Sequence, residues 1–167
     1  MTTYFASVVQ HIAEGARVGH AQAAIRTVHG KHASRWLAEQ AGISPRTARR
    51  WLSSASPTSR ARAILDAAAA AGGATGLAAQ RLRTAETIDV GTVVVSYDGE
   101  PEGSRRIGEI AVEGDVANYL STAARDLEAH NLEGAGEAFS NAIMSGYDPG
   151  LEDTLQVEEV EFVDVSP

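Results

Sequence analysis

The residues of this chain that are best suited to chemistry are arginines that recur at helical spacing in one short segment. Arg49 and Arg50 follow Arg46 by three and four positions, and Ser53 extends the same stripe by one turn. A guanidinium group donates two parallel hydrogen bonds to O6 and N7 of guanine, or to phosphate oxygens. Side chains at this spacing share one face of a helix and can enter the major groove together. The spacing therefore predicts contacts with nucleic acid.

The segment around these arginines, residues 34–52, has the pattern of a helix-turn-helix. Ala38 is small, which lets two helices cross at close range, and Gly42 can adopt the positive φ that a sharp turn requires. Ser44 can cap the next helix, and Pro45 suits its first turn because the missing N–H would have no partner there. We therefore expect a second helix, which would read DNA, to begin at residues 44–45.

The two faces of that second helix follow from its apolar residues. We expect Ala48 and Trp51 to face inward together with Leu37 and Ile43. The arginines then point outward to read bases, and each good arginine–guanine pair contributes roughly 1–3 kcal/mol of discrimination. The predicted DNA contacts in this segment are Ser44, Arg46, Thr47, Arg49, Arg50 and Ser53.

Basic residues on both sides of the segment are suited to phosphate contacts, which orient a protein on DNA without reading its sequence. Arg26, Lys31 and Arg35 come before the second helix, and Arg60 and Arg62 follow a serine-rich break. Such contacts make the affinity fall as the salt concentration rises. An alternative stays open, because an ordinary solvated helix surface can present the same arginines.

Charge is divided unevenly along the 167 residues, and the net charge of −8 conceals the division. Residues 1–83 contain 11 lysines and arginines against three acidic residues, whereas residues 84–167 contain three against 19. The first part suits a polyanion, and the second would be repelled by one. We predict a helical DNA-binding domain over 1–83 and an acidic domain over 84–167.

Several classes of chemistry are not indicated. The chain has no cysteine, which excludes disulfides and thiol catalysis. Four histidines (residues 11, 20, 29 and 32) lack the carboxylate that would complete a metal site. The glycine-rich stretch 72–76 lacks the lysine of a phosphate loop, so we interpret it as a helix stop and linker. We expect no enzymatic activity, cofactor or metal, and an intracellular, nucleoid-associated protein without a membrane segment.

Periodicity and turn residues predict an α+β fold. The helical domain would contain helices over residues 4–14, 20–29 and 59–71, with a shorter one over 77–82. Between them, a third helix would hold Trp36 and Leu37 and stop near Gly42, and a fourth would begin at residues 44–45 and end before Ser53. The acidic domain would have the order β-β-α-α-β, with strands over 88–97, 106–113 and 155–165, a turn over 98–103, and helices over 115–129 and 133–145.

The acidic domain has three interpretations that the sequence leaves open. It could recruit a partner with a basic surface, or it could only add soluble charge. It could also form a homodimer through a sheet edge or through an amphipathic helix that carries Val116, Leu120 and Leu127. Carboxylates alternate with valines in 157–165, which favours a charged edge strand over a cation site.

Residues 42–51 read Gly-Ile-Ser-Pro-Arg-Thr-Ala-Arg-Arg-Trp, residues 103–107 read Gly-Ser-Arg-Arg-Ile, and 157–165 form an acidic tail with alternating apolar residues. These motifs, in this order, resemble the telomere terminal protein family of actinobacterial linear replicons. The resemblance covers about residues 20–165 in the order of elements. It implies binding to DNA ends, with a hydroxyl joined to the 5′ end as a primer, and replication proteins as partners. Ser104 is the hydroxyl nearest to the position that the family modifies.

Three hypotheses result. The first is a sequence-specific binder of double-stranded DNA that regulates or maintains an actinobacterial replicon or mobile element, and that dimerises because one reading head contacts few base pairs. The second is a terminal-protein-like primer. The third is a protein-interaction module that does not bind nucleic acid.

Overall fold

Helices form the first half of the chain, and strands begin only after residue 86. The structure is a computed structural model, and it describes residues 3–14, 18–71, 74–151 and 154–167. Helices and two antiparallel three-stranded sheets occur together in these residues, which confirms the α+β class. The predicted glycine stop at residues 72 and 73 lies outside the described residues.

The helices of the first half agree with the predicted periodicity, apart from small shifts at their ends. The sixth helix begins three residues earlier than predicted, through Thr75 and Gly76, which are poor helix formers. Gly76 lies against Ala24 of α2, so tertiary packing overrides the local propensity there. A single 3-10 turn, Gly30–His32, precedes the third helix. The helices are α1 Thr3–Glu14, α2 Val18–His29, α3 Ala33–Ala41, α4 Pro45–Ser53, α5 Ser59–Ala71 and α6 Ala74–Arg83.

The described residues of the second half form six strands and two helices, where three longer strands and two helices were predicted. The two helices agree with prediction to within two residues. The elements are β1 Thr87–Asp89, β2 Thr92–Tyr97, β3 Glu100–Arg106, β4 Glu109–Ala111, α7 Gly114–Glu128, α8 Leu132–Tyr147, β5 Gln156–Val160 and β6 Asp164–Ser166.

The prediction of a turn over 98–103 is wrong, because most of that segment is strand β3. Asp98 and Gly99 have φ values of 48° and 81°, and two successive residues in the left-handed region close a hairpin by themselves. Pairing therefore resumes at once, with Tyr97 opposite Glu100. The strand predicted over 106–113 begins six residues earlier than expected and is interrupted at Gly108.

Each of the three predicted strands is divided in two, and the divisions lie side by side. Gly91, with a φ of 62°, separates β1 from β2, and its carbonyl accepts hydrogen bonds from the N–H groups of Ile107 (2.8 Å) and Gly108 (3.0 Å). Residues 161–163 separate β5 from β6. The halves form two sheets, ordered β4-β1-β6 and β3-β2-β5. The alternation of apolar and polar residues predicted where strands form. It does not indicate that the strands are interrupted at neighbouring positions of the sheet.

The buried side chains form two clusters, which are not divided along the chain at residue 83. The smaller cluster belongs to α2–α5, with Ala13 of α1 and Leu77 of α6. The larger cluster joins the sheets, α7 and α8 to α1 and α6, which contribute Phe5 and Leu82 among others. The segments that begin and end the predicted helical domain thus contribute to the core of the acidic part.

Helix α7 uses its apolar face inside the protein. Val116, Leu120 and Leu127 are buried in the larger cluster, where α7 packs against α8 and α6. The interpretation of this helix as a self-association surface is therefore wrong. An apolar stripe on a helix indicates that this face is buried in the native protein. It does not indicate whether the residues that bury it belong to the same chain or to a partner.

Candidate nucleic-acid interface

The turn between α3 and α4 has the geometry that the sequence predicted. Gly42 lies in the left-handed region, with a φ of 63° and a ψ of 35°. The N–H of Ile43 donates to the carbonyl of Ala38 at 3.1 Å, which satisfies one of the carbonyls that a helix leaves open at its C-terminus. The glycine therefore ends α3 and redirects the chain into α4 within three residues.

Ser44 caps α4, as predicted. Its hydroxyl oxygen accepts a hydrogen bond from the backbone N–H of Thr47 at 3.1 Å, and Pro45 occupies the first helical turn. The same hydroxyl donates to Oγ1 of Thr47 at 3.0 Å. Ser44 and Thr47 are thus paired with each other at the N-terminal end of α4. We expect such a cap to contribute about 1 kcal/mol to helix stability.

The inward face of α4 is carried by Ala48 and Leu52. Ala48 is fully buried and Leu52 nearly so, one turn apart, in the cluster that also contains Leu37. Trp51 and Ile43, which were predicted to face inward with Ala48, pack against this cluster but remain partly exposed. The rigid contact between α3 and α4 therefore depends on aliphatic residues four apart, with the tryptophan at its margin.

The outward face of α4 is the arginine stripe that the sequence predicted. Arg46, Arg49 and Arg50 are all exposed. In the part of the chain that the structure describes, the ion pair formed is Arg83–Glu128, so none of these three arginines is neutralised by a carboxylate. With its side chains an α-helix is about 10–12 Å across, so it fits the major groove, which is about 12 Å wide.

Ser53 also lies on this face, but its hydroxyl is turned back onto the helix. It donates to the carbonyl of Arg49 at 2.9 Å and is 3.3 Å from that of Arg50. A serine near the end of a helix commonly bonds to the carbonyl four residues earlier. Ser53 could offer DNA only the acceptor side of its hydroxyl unless this bond opens.

Gln22 of α2 holds the other end of α4, and this contact was not predicted. Its side-chain amide nitrogen donates to the carbonyls of Trp51 at 2.7 Å and Ser54 at 2.8 Å. The residue is 7% exposed, so both bonds are shielded from water. A signal existed in the sequence, because Gln22 is the polar member of a helical stripe that includes Ala21 and Ile25.

His29 and Trp36 fix the approach of α2 to α3. Their rings are stacked, with centroids 3.9 Å apart and planes at 16°. Burial lowers the pKa of His29 below its usual value, which favours the neutral ring. This histidine therefore has a packing role beside the helix-turn-helix.

The flanking cations lie on the elements on either side of α4. Arg35 is exposed on α3, and Arg60 and Arg62 are exposed in the first turns of α5. Burial raises the pKa of Asp66, and the charge of Arg62, one turn away, partly offsets this rise. Arg62 therefore has an acidic neighbour on its own helix, whereas Arg60 is better placed for a phosphate contact.

Two arginines of the basic half have internal roles instead. Arg83 forms a bidentate pair with Glu128, with N–O distances of 2.9 Å and 3.1 Å. Arg81 donates to the carbonyl of Ile12 at 3.0 Å and to that of Val165. They join α6 to the acidic part and to both ends of the chain, so the positive charge of residues 1–83 is not all available to a ligand.

Ser104, the candidate priming hydroxyl, lies at a different place in the fold. It is exposed on β3, an edge strand of its sheet, opposite Val94. Arg105 and Arg106 follow it directly, and the guanidinium group of Arg105 donates to the carbonyl of Ser104 at 3.2 Å. Its hydroxyl is accessible from solvent.

Comparison with known proteins adds no relative. The chain matches no protein-family model, and no curated protein and no solved structure is significantly similar to it. None of the helices in the described ranges has the length and apolar character needed to cross a bilayer.

Proposed function

We propose that the protein binds double-stranded DNA sequence-specifically, with α4 as the recognition helix. The observation that carries the proposal is the unpaired stripe of Arg46, Arg49 and Arg50 on a helix that is fixed at both ends. Arginines that are exposed and held on a rigid element can read guanine edges without a large loss of conformational freedom. Arg35 and Arg60 would contact phosphates on either side.

The organisation that fits this function is a helical reading head built on α2–α5, attached to an acidic β-β-α-α-β part whose core also includes α1 and α6. We propose that the protein acts as a homodimer on the nucleoid, because two reading heads on a two-fold site multiply the specificity. Regulation or maintenance of an actinobacterial replicon or mobile element is the role in which we expect it.

The test is selection of bound sequences from a random duplex pool that offers both internal sites and linear ends. We expect an enriched motif that contains guanines, and we expect Arg50→Ala to lose the preference at one or two positions. Arg125→Ala is the matched control, since Arg125 is exposed on α7 in the acidic part. Recognition by α4 would be refuted if no sequence were enriched from the pool. It would also be refuted if Arg50→Ala and Arg125→Ala lost sequence preference to the same extent.

A second candidate is the priming function, which the exposure of Ser104 on an edge strand favours. In this reaction the serine hydroxyl would attack the α-phosphate of a deoxynucleoside triphosphate and release pyrophosphate. Incubation with a labelled deoxynucleotide, a replicative polymerase and an end template should label the wild type but not Ser104→Ala. Ser121→Ala, at an exposed serine of α7, is the control. Absence of label from every hydroxyl would eliminate this candidate.

A further inference from the structure

A groove on the acidic part lies between helix α1 and the segment that contains strand β5. It has a volume of about 510 Å³. One wall is formed by Tyr4, Ser7, Val8 and His11, which are spaced as one face of α1, and the other by residues 158–163. The groove lies at the β5 edge of the sheet, whereas Ser104 lies on β3 at the other edge. None of the residues that line the groove belongs to the helix-turn-helix.

Strand β5 presents an open edge beside this groove. In the order β3-β2-β5 it has β2 on one side only, and α1 packs nearby. The N–H of Val157, near the start of β5, already donates to Oγ of Ser140 at 2.9 Å, so the part of the edge that follows Val157 is the part that an added strand could use. The backbone N–H and C=O groups on the free side of an edge strand can pair with an added strand. A sheet edge with a helix alongside is an arrangement that binds extended peptides, because the helix holds the side chains of the added strand.

The wall formed by 158–163 is acidic, which suits a positively charged ligand. Glu158, Glu159 and Glu161 lie within four residues, and the aromatic ring of Phe162, 46% exposed, is next to them. Lysine and arginine side chains combine an apolar stem with a cationic head, so they suit a surface of carboxylates around an aromatic ring. The acidic balance of residues 84–167 extends this preference over the surrounding surface.

A buried hydroxyl without a hydrogen-bond partner lies at the groove. Among the described residues, Oη of Tyr4 is buried and has no hydrogen-bond partner. A buried polar group without a partner is unfavourable and rare in native proteins. Burial raises the pKa of this phenol, and the nearby Glu158 raises it further, so the hydroxyl remains a donor. Because this oxygen is covered, a small shift of the Tyr4 ring must expose it before a peptide carbonyl beside α1 can accept its hydrogen bond.

We propose that this groove binds an extended, lysine- or arginine-rich segment of a partner protein, which adds to the free edge of β5. The proposal goes beyond DNA recognition and does not depend on it. The segment would pair with the backbone of β5, direct its cations to Glu159 and Glu161, and accept a hydrogen bond from Tyr4.

The test uses a fluorescein-labelled Lys-Val-Lys-Val-Lys-Val peptide and the full chain, with fluorescence anisotropy as the readout. We expect binding at least about tenfold tighter than that of Glu-Val-Glu-Val-Glu-Val, because the charges are complementary. A Lys-Val peptide that is N-methylated at two adjacent central residues, which blocks both of its edges, should lose a similar factor of about ten. Equal binding of the methylated peptide would show attraction by charge alone and would overturn strand addition.

Variants of the chain locate the binding site. Glu159→Arg should weaken binding about tenfold, whereas Glu137→Arg, an equal charge change at an exposed position of α8, should weaken it less than about threefold. Equal losses would refute the groove. Tyr4→Phe should weaken binding about fivefold without lowering the thermal stability, because it removes an unpaired hydroxyl. Unchanged affinity in Tyr4→Phe would remove Tyr4 from the site and contradict the pose.

The alternative occupant of the groove is the basic half of a second copy. In that case the protein would sediment as a dimer that the Lys-Val peptide converts into monomers. This result would assign the groove to self-association and overturn the proposal of a separate partner. Sedimentation that is unchanged by the peptide, with one peptide bound per chain, supports the proposal.

Discussion

The side-chain amide of Gln22 donates a hydrogen bond to the carbonyl of Trp51 at 2.7 Å, across 29 residues of sequence. The same nitrogen bonds to the carbonyl of Ser54, so one side chain of α2 closes the C-terminal end of α4. Ser44 closes the N-terminal end. Helix α4 has only nine residues, and helices this short are unstable alone, so its order depends on these two caps and on the packing of Ala48 and Leu52.

Replacing Gln22 by leucine should therefore destabilise the protein. The carbonyls of Trp51 and Ser54 would both lose the Gln22 donor, and Trp51 would keep only the longer bond from the N–H of Ser54 at 3.4 Å. We expect this loss to lower the free energy of unfolding by about 1–3 kcal/mol. Urea denaturation monitored by circular dichroism measures this change. Gln10→Leu, at an exposed position of α1, is the control and should change stability by less than about 0.5 kcal/mol. If the two variants were equally stable, the bonds of Gln22 would have no energetic importance.

The flanking and stripe arginines should have different effects on DNA binding. Arg60→Ala should reduce the slope of log K against log salt by about 1 and leave the preferred sequence unchanged, because it removes one phosphate contact. Arg50→Ala should instead reduce discrimination at its base pair by roughly 1–3 kcal/mol. Titrations of a selected site and of a random duplex at several salt concentrations separate the two effects. A changed base preference in Arg60→Ala would assign it to base reading.

Gly91 should tolerate alanine poorly. Its φ of 62° costs an L-residue about 1–2 kcal/mol, and an added Cβ would lie 2.6 Å from the ring of Phe162. Gly76 is the control, because a Cβ there would meet Ala24 at an ordinary 3.7 Å inside a helix. We expect Gly76→Ala to stabilise the protein by about 0.5–1 kcal/mol. Thermal unfolding of the two variants should shift in opposite directions, and shifts of the same sign would contradict the argument.

The stability of the protein should fall in mild acid partly because of His29. Burial holds the pKa of this histidine below its usual value of 6.5, so below that pH the unfolded chain binds more protons than the folded one. Protonation therefore favours unfolding, and the loss grows as the pH falls from 6.5 towards the lowered pKa. His29→Phe keeps a ring against Trp36 but cannot titrate. The difference in stability between wild type and variant should change in this pH range, and a constant difference would exclude His29 as its source.

The helix-turn-helix was predictable because each of its signals is local. Gly42 is needed for a left-handed turn, and Ser44 and Pro45 mark the next helix, so neighbouring residues determine the geometry. The outward direction of the arginine stripe was predicted from Ala48 and Trp51 as inward residues, and the arginines are exposed although Trp51 is only partly buried. Gln22 was missed because its partners are about 30 residues away, and a polar residue on an apolar stripe does not identify its acceptor.

The strands were harder to predict, because their breaks depend on pairing. Gly91 and Gly108 are glycines in β-rich segments, and glycine there indicates a bulge, a bend or a close approach without distinguishing them. The break at 161–163 has no glycine at all. The third strand bends where the ring of Phe162 lies over Gly91, which is a contact between residues 71 positions apart. Only the assembled sheet defines that position.

Helix α6 has a consequence for how the molecule melts. It buries Leu77 in the cluster that contains Ala48 and Leu52 of α4, and Ala78, Ala79 and Leu82 in the cluster beneath the sheets. Unfolding of either region would remove packing partners of α6 and would therefore destabilise the other region as well. A single calorimetric peak, with equal van't Hoff and calorimetric enthalpies, is therefore the behaviour to expect of the intact chain, and any ligand that tightens one end should raise the melting temperature of the whole.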